Sequence, residues 1–482
     1  MDAALLDLYL RNEKRRAPAP DGAFSGAAGG APCGDLVRIS LAADAGRIAR
    51  ATFDVEGCAT TRAAAAAVAE AVEGEPVLDA ARVGSTRIAE ALGGLSPQGR
   101  HAADLAADAL HRALSGLASA GVPLADPPSA GGRVLVAMSG GVDSAVAALL
   151  ERERGADVAA VTLKLWADRR TDGERSCCSP QAVIEARAVA HRLGLPHLTL
   201  DLEDAFRAVV VETFVRGYAA GRTPNPCVAC NGEVRIDAMI ALADRIGATG
   251  LATGHYARIA DDGDGPLLAR PADPAKDQTY MLAAVRPESL ARLRFPLADL
   301  TKPEVRELAA RAGLPVATKR ESQDLCFLAG EGKRSFLARH AGLGERRGDI
   351  VDADGRVVGR HSGHHNFTVG QRRGLGVGGS GPLYVLATRA DSNRVVVGRR
   401  DDLATQRVRV RDAQLHRDGA RVDRVKLRYR SRPIACAVEG PPGRHEELWI
   451  ELAEPAYGVA PGQTACLMAG ESIVGHATIA SP

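Results

Sequence analysis

VLVAMSGGVDSAVAALLER, Val134 to Arg152, passes from an apolar, β-branched segment through SGGVDS into an alanine-rich segment whose apolar positions recur every three or four residues. The pattern predicts a buried strand, a tight glycine turn and a helix. A helix start leaves backbone N–H groups unpaired with the positive end of the helix dipole behind them. Gly140 and Gly141 carry no side chains, so an anion can approach those groups closely. The join is a phosphate seat, and it is not a GxxxxGK[ST] loop, because no such lysine follows.

Outward from this join the rhythm continues. ADVAAVTLKLW, LPHLTLDL and TGLATGHY read as strands alternating with helical runs such as PQAVIEARAVAHRLG. That alternation predicts a doubly wound parallel α/β sheet over residues 133 to about 255. TKPEVRELAARAG adds a later helix. After about residue 345 the texture changes to short strands between glycine turns, a β-rich module of one or two small barrels. VPLADPPSAGGR, Val122 to Arg133, reads as a linker, and so does the earlier APAPDGAFSGAAGGAPCGD.

With 482 residues, 46% hydrophobic and 25% charged, the chain is of ordinary soluble composition and long enough for about two to four domains. The alanine-rich run Ala63 to Val72 is interrupted by Glu70 and too short to span a bilayer. At the start, the basic cluster follows the apolar residues, the reverse of a secretory signal. A cytoplasmic protein with no membrane partner is expected, so its nine cysteines read as thiols or ligands, not disulfides. Charge is uneven. Residues 334–482 hold 23 basic against 16 acidic side chains, a net +7, whereas 1–130 net −4. A basic end suits a phosphate-rich partner or a solvated face.

RTPNPCVACN (Arg222 to Asn231) and ESQDLCF (Glu321 to Phe327) set cysteines among turn-forming and polar residues. Pro224 and Pro226 suggest an extended turn, which would put Cys227 and Cys230 on a loop. Spacing alone leaves three readings open: nucleophilic thiols, a zinc-binding CxxC, or inert buried thiols. Cys436 and Cys466, in partly apolar β-rich stretches, read as core thiols.

AMSGGVDS, SCCS, TPNPC–CN, TGHYAR, KDQTYML, ESQDLCF, TVGQRRGLG, PLYV, VKLRYR and PGQ occur in that order between about 133 and 480. In these motifs the chain resembles the tRNA-specific 2-thiouridylase family, which converts the wobble uridine of certain tRNAs to 2-thiouridine. The resemblance implies an ATP pyrophosphatase domain over 133–335 with a helical tRNA-binding part, then central and C-terminal barrels over 336–482. It implies that ATP, bound with Mg²⁺, adenylates C2 of the uridine before sulfur displaces AMP. Ala137, Met138, Ser139, Gly140, Gly141, Val142, Asp143 and Ser144 would bind ATP, with Leu163 and Gly254 near the nucleotide and Asp143 helping to hold Mg²⁺. Cys326 would carry a persulfide and Cys230 would be its thiol partner. Asn225, Pro226 and Cys227 would face the target base of the anticodon stem-loop. His255, Lys276, Asp277, Gln278, Arg428, Tyr429 and Gln463 match tRNA contacts of the family.

Many members carry aspartate where this chain has Cys227. The three-cysteine pattern implies instead a [4Fe–4S] cluster on Cys227, Cys230 and Cys326, and the choice between cluster and persulfide stays open. Cys177 and Cys178 match a family pair without an assigned role. Residues 1–125 resemble, through PCGDLVRIS, FDVEGCATTR and LSPQGRHAADLAADALHRAL, the α+β NifU/IscU-type iron–sulfur scaffold, joined by a linker at 126–132. Cys33, Asp35, Cys58 and His101 would make a zinc or transient-cluster site, with Ala102 where the scaffold usually has its third cysteine. A cysteine desulfurase or sulfur-relay protein is the implied donor. A sulfur carrier with a regulatory ATP domain is the competing reading, but it would need neither the TPNP segment nor the RY-containing basic module.

Overall fold

The computed structural model describes residues 3–11, 15–30, 34–97, 99–125, 132–168, 180–319, 325–328, 330–378 and 381–481. Cys33, Cys177, Cys178 and all but the last residue of the expected linker lie outside the described residues.

The chain opens with helix α1 (Ala3–Arg11), then an antiparallel sheet of β1 (Phe24–Gly29), β2 (Leu36–Asp44) and β3 (Arg47–Glu56). Helices α2 (Ala59–Val72), α3 (Val77–Ala80), α4 (Ser85–Ala91) and α5 (Arg100–Ser119) complete this first unit. Part of the expected linker at 17–35 is therefore strand β1. Its small residues answer a packing demand: a Cβ on Gly26 would lie 2.2 Å from the Ala109 carbonyl oxygen of α5, so only glycine lets strand and helix approach this closely.

The second unit is the predicted parallel sheet. Strands β4 (Arg133–Ala137), β5 (Asp157–Lys164), β6 (His197–Asp201), β7 (Ala248–Thr253) and β10 (Leu293–Arg294) lie in the order β10-β7-β4-β5-β6. Every neighbouring pair is parallel. Buried strand residues such as Leu135, Val136, Ala160, Val161 and Leu198 explain the continuous apolar runs, since both faces are covered. Helices α6 (Val142–Glu153) and α7 (Pro180–Arg192) are followed by α8 (Glu203–Phe206), α9 (Glu212–Ala219), α10 (Pro226–Ala229), α11 (Ile236–Arg245), α12 (Thr279–Leu282), α13 (Pro287–Leu290) and α14 (Lys302–Arg311). Thr301 and Glu304 form a capping box at the start of α14. α15 (Lys333–Ala341) leads into the β-rich part.

That part has two sheets. β11 (Gly348–Val351), β12 (Val357–His361), β13 (Tyr384–Arg389) and β14 (Arg394–Gly398) form four strands in the order β12-β11-β14-β13. β15 (Ala404–Leu415), β16 (Arg424–Lys426), β17 (Ile434–Val438), β18 (Gly443–Tyr457), β19 (Thr464–Ala469) and β20 (Ser472–Ile479) close on themselves through β15–β20 pairing. The hairpin β8 (Arg258–Asp261) and β9 (Pro266–Ala269), which follows β7 in the chain, adds to this sheet by pairing β9 with β20. Arg417 and Arg421 grip Asp262 in the hairpin turn, holding its carboxyl well below the usual range. Cys466 is fully buried in this barrel, and burial pushes its thiol and that of Cys436 up to about 12.

Among the described residues no helix is long and apolar enough to cross a membrane.

Candidate active site

β4 ends at Ala137 and α6 begins at Val142 with Gly141 as its N-cap, where no side chain caps the helix and its first N–H groups stay available. Gly140 takes φ +69, a left-handed turn that L side chains avoid. Ser144 Oγ donates to Gly141 O (3.2 Å) and accepts from Ser139 N (3.1 Å), so these serines knit the loop into one shape. Gly254, at the end of β7, is pressed against the same turn: a Cβ there would stand 2.6 Å from Ser144 N.

Asp143 is held from behind. Lys302 Nζ donates to both its oxygens, at 2.6 and 2.7 Å, and Tyr256 Oη donates at 3.0 Å. Lys319 Nζ donates to Gly140 O (3.0 Å) and pairs with Glu185 (2.7 Å). Neither lysine stands out locally in sequence, because the Lys302–Asp143 contact spans 159 residues.

The RTPNPC segment departs from the loop expectation. Asn225 is the N-cap of α10, its side chain accepting from Val228 N, and Pro226 takes the first turn. Proline suits that position because its fixed φ is helical and its missing N–H would be unpaired anyway. The helix continues as a π-helix from Cys230 to Arg235 and then as α11, so Cys227 and Cys230 lie on the opening turns of one long helical run. A second π-helix, Arg207–Val211, packs beside the first. Such wide turns are frequent at functional sites. Cys326 arrives from a separate segment and is anchored by its neighbour: Phe327 packs edge-on against Phe214, Phe336 and Phe206, with ring centroids 5.0 to 5.9 Å apart.

The glycine loop, the helical turns bearing Cys227 and Cys230, and the Cys326 segment meet in one cavity of about 980 Å³, whose lining does not include Asn225. Its wall includes Ala137 to Ser144, Leu163, Gly254, Pro226, Cys227, Cys230, Cys326, His255, Lys276, Gln278 and Tyr429. Tyr256, Lys319, Arg235 and Arg430 join them, none of which the sequence reading had singled out. Arg430 takes φ +62, an uncommon conformation for a long side chain, at the cavity wall. Burial, aided by Arg235, pushes His255 down to about 3, so its imidazole is neutral.

Other expected contacts sit behind the wall. Asp277 is buried and turned toward Thr279, Lys426 and Arg270. Gln463 Nε2 donates to Thr223 O (2.7 Å), and Arg428 Nη2 to Val369 O (2.7 Å). They brace the cysteine-bearing segment and the barrels. Asp35, Cys58 and His101 lie in the first unit. Asp35 Oδ1 accepts from Cys58 N and its Oδ2 from Thr61 Oγ1 (2.6 Å), while Ala102 is buried.

Among the described residues only Asp168, Glu331 and His340 bring three donor atoms within 4.8 Å of one another. Arg339 bridges the two carboxylates of that group, which makes it an ion-pair cluster.

Four family models match the chain: the NifU-like N terminal domain over residues 5–119, the tRNA methyl transferase HUP domain over 132–330, the tRNA methyl transferase PRC-barrel domain over 334–399 and the aminomethyltransferase beta-barrel domain over 401–479. The bifunctional protein NifU/MnmA of Rubrobacter xylanophilus is 47% identical over 468 residues, 94% of this chain and 93% of that protein. The tRNA-specific 2-thiouridylase MnmA of Acidithiobacillus ferrooxidans is 44% identical over 71% of this chain and 97% of its own length. A 4-thiouridine synthetase in complex with RNA and ATP matches 43% of this chain and 47% of its own at 21% identity and a TM-score of 0.28. The chain belongs to the MnmA family of tRNA-specific 2-thiouridylases, in the form that carries a NifU-like domain ahead of the enzyme.

Proposed function

We propose that the chain is a tRNA-uridine 2-sulfurtransferase acting on the wobble uridine of an anticodon stem-loop. The observation that carries this reading is that the glycine loop and three cysteines from two chain segments line one cavity, with Lys276, Tyr429 and Arg430 on its wall.

The C2 carbonyl oxygen of uridine is a poor leaving group. It attacks the α-phosphorus of ATP, pyrophosphate departs, and the adenylated base forms. Hydrosulfide then adds at C2, AMP leaves with the oxygen, and loss of the S–H proton gives the thiocarbonyl with no change of oxidation level. The turn from Ser139 to Ser144 seats the departing phosphates on the open N–H groups of α6. Asp143 would hold Mg²⁺, which takes carboxylate and phosphate oxygens. His255, kept neutral, exchanges hydrogen bonds without adding charge, and Lys276 and Arg430 offset the phosphate charge of an incoming strand. Tyr429 offers a ring on which an unstacked base can rest.

Cys227, Cys230 and Cys326 suit a [4Fe–4S] cluster in donor type and number. They share a cavity wall, yet do not crowd within the 4.8 Å spacing suited to one ion. These three would hold the cluster, which would supply an iron with an open position for sulfide. Sulfur would come from a cysteine desulfurase or relay protein, and the protein would work in the cytoplasm.

Cys326→Ser tests this reading. With tRNA present, pyrophosphate release should persist while 2-thiouridine disappears from the tRNA by mass spectrometry. Thiolation near the parent rate would overturn the role of Cys326. In full-length protein carrying Cys58→Ser, anaerobic reconstitution should give a brown protein, and adding Cys227→Ala should lose iron and thiolation together. A colourless protein that stays active with a persulfide donor would assign the sulfur to a Cys326 persulfide instead.

A further inference from the structure

β6 is the edge strand of the catalytic sheet, and an edge presents unpaired backbone groups to whatever lies beside it. In this chain the NifU-like unit lies beside it, with α5 packed along β6. Ala81 O accepts from His197 N of β6 (3.1 Å) and from His191 Nε2 of α7 (3.0 Å). Arg82 Nη1 donates to Gly194 O (3.1 Å). Arg187 of α7, its side chain only 9% exposed, pairs with Asp108 of α5 at 3.3 Å. His111 of α5 stacks near His191 and His197, with ring centroids 5.2 and 6.4 Å away, and donates from Nε2 to Val83 O (3.0 Å). A second seam joins Leu124 N to Arg245 O (2.9 Å) and Arg245 Nη2 to Leu117 O (2.9 Å). Buried side chains of the two units, among them Leu110, Leu114, Leu198 and Leu200, belong to one continuous core. The two units, joined in sequence by the segment read as a linker, therefore share one core.

Two short paths lead from this seam to the glycine loop. His197 Nε2 donates to Thr162 Oγ1 (2.8 Å), whose hydroxyl donates to Met138 O (3.0 Å), the residue immediately before Ser139. The other path runs along α7. Its outer face carries Arg187 and His191 in the seam, while Gln181, Ala182 and Glu185 line the cavity. Ala182 O lies 3.3 Å from where a Cβ of Gly140 would be, and Glu185 holds the lysine that grips Gly140 O.

We propose that the NifU-like unit is a fixed wall of the nucleotide domain, and that Asp108, Arg187, His197 and Thr162 are positioning residues that set the loop from Ser139 to Ser144 for the phosphates of ATP. The NifU-like unit thereby acts on the enzyme through contact, whatever its own metal chemistry. This inference rests on the reading of that loop as the ATP site.

The test uses the full chain and equilibrium calorimetry with ATP, with no tRNA present. Asp108→Ala, Arg187→Met and His197→Leu should each weaken ATP binding about five- to tenfold, the size of a lost buried contact. They should also speed hydrogen exchange at residues 139–146. Val55→Ala, in a strand packed within its own unit, destabilises that unit without touching the seam and should leave ATP affinity and exchange at 139–146 as in the parent. If the parent binds ATP and the three seam variants bind within twofold of it, the inference fails while the ATP assignment stands. A Val55→Ala loss equal to theirs would also overturn it, by tracing the effect to general loosening. Absence of ATP binding in the parent would overturn the reading of the loop itself.

Discussion

Replacing Lys302 by Met keeps most of the buried stem and removes the charge that faces Asp143. The pair lies between two regimes. Lys302 is 9% exposed and Asp143 31%, the latter opening on the cavity. Breaking a fully buried pair costs about 3–5 kcal/mol and an exposed one about 0–1 kcal/mol, so about 1–2 kcal/mol is expected here. In Lys302→Met the Asp143 carboxylate confronts the incoming phosphates without its counter-charge. At 1.4 kcal/mol per tenfold, ATP affinity measured without Mg²⁺ should fall about 5- to 30-fold. Asp143→Asn removes the repelling charge, so Lys302→Met combined with Asp143→Asn should return Mg²⁺-free binding to within about threefold of the parent, as a double-mutant cycle for coupled neighbours requires. Calorimetry on the four proteins in chelator reads this directly. Unchanged binding in Lys302→Met, or a double variant as weak as Lys302→Met alone, would refute the electrostatic role given to the pair.

Gly254→Ala forces a methyl group against backbone at Asp143 and Ser144, a cost of about 1–3 kcal/mol; a fall of about tenfold in ATP affinity is expected by the same calorimetry, and unaltered binding would show that the turn yields freely. The seam histidines predict an acid limit. Burial, with Arg187 nearby, pushes His191 down to about 4 and lowers His111 and His197 as well, while Asp108 offsets Arg187. Neutral in the fold and protonated near 6.5 once exposed, they contribute stability that is complete above about pH 6.5 and is lost as pH falls toward 4. At pH 5 His191 alone accounts for about 2 kcal/mol, so the thermal midpoint should drop between pH 7.5 and 5, and less so in His191→Gln; a flat profile would contradict the burial.

What could be read from the sequence was what is local. SGGVDS between an apolar strand and a periodic helix needs only neighbours along the chain, and the observed turn matches it. RTPNPC misled because two prolines in three positions look like a loop, whereas Asn225 and Pro226 are the cap and first position of a helix. The glycine-rich stretch before Cys33 looked like a linker, because its small residues answer a helix packed against it from some eighty positions away. Lys302 was invisible for the same reason, as its partner lies far back in the chain. Asp277, Arg428 and Gln463 were matched to tRNA contacts through the family resemblance, which carries no packing; in the fold Asp277 is buried and all three make hydrogen bonds within the frame.

The hairpin β8–β9 belongs by chain order to the nucleotide unit and by pairing to the barrel, with Arg270 beside β9 meeting Glu471 beside β20 across 201 residues. During synthesis that hairpin is made long before its partner, so β9 waits with one side unpaired, a state prone to wrong pairing. Its turn, Asp261 to Asp264, places like charges beside that open edge, the kind of residue that disfavours edge pairing, and in the fold Arg417 and Arg421 pair with Asp262 and Asp264. β20 then pairs with β19, β15 and β9 together. The nucleotide pocket thus shares its frame with the last strand of the chain: Tyr429 and Arg430 stand on the cavity wall, and the barrel they come from is closed by β20.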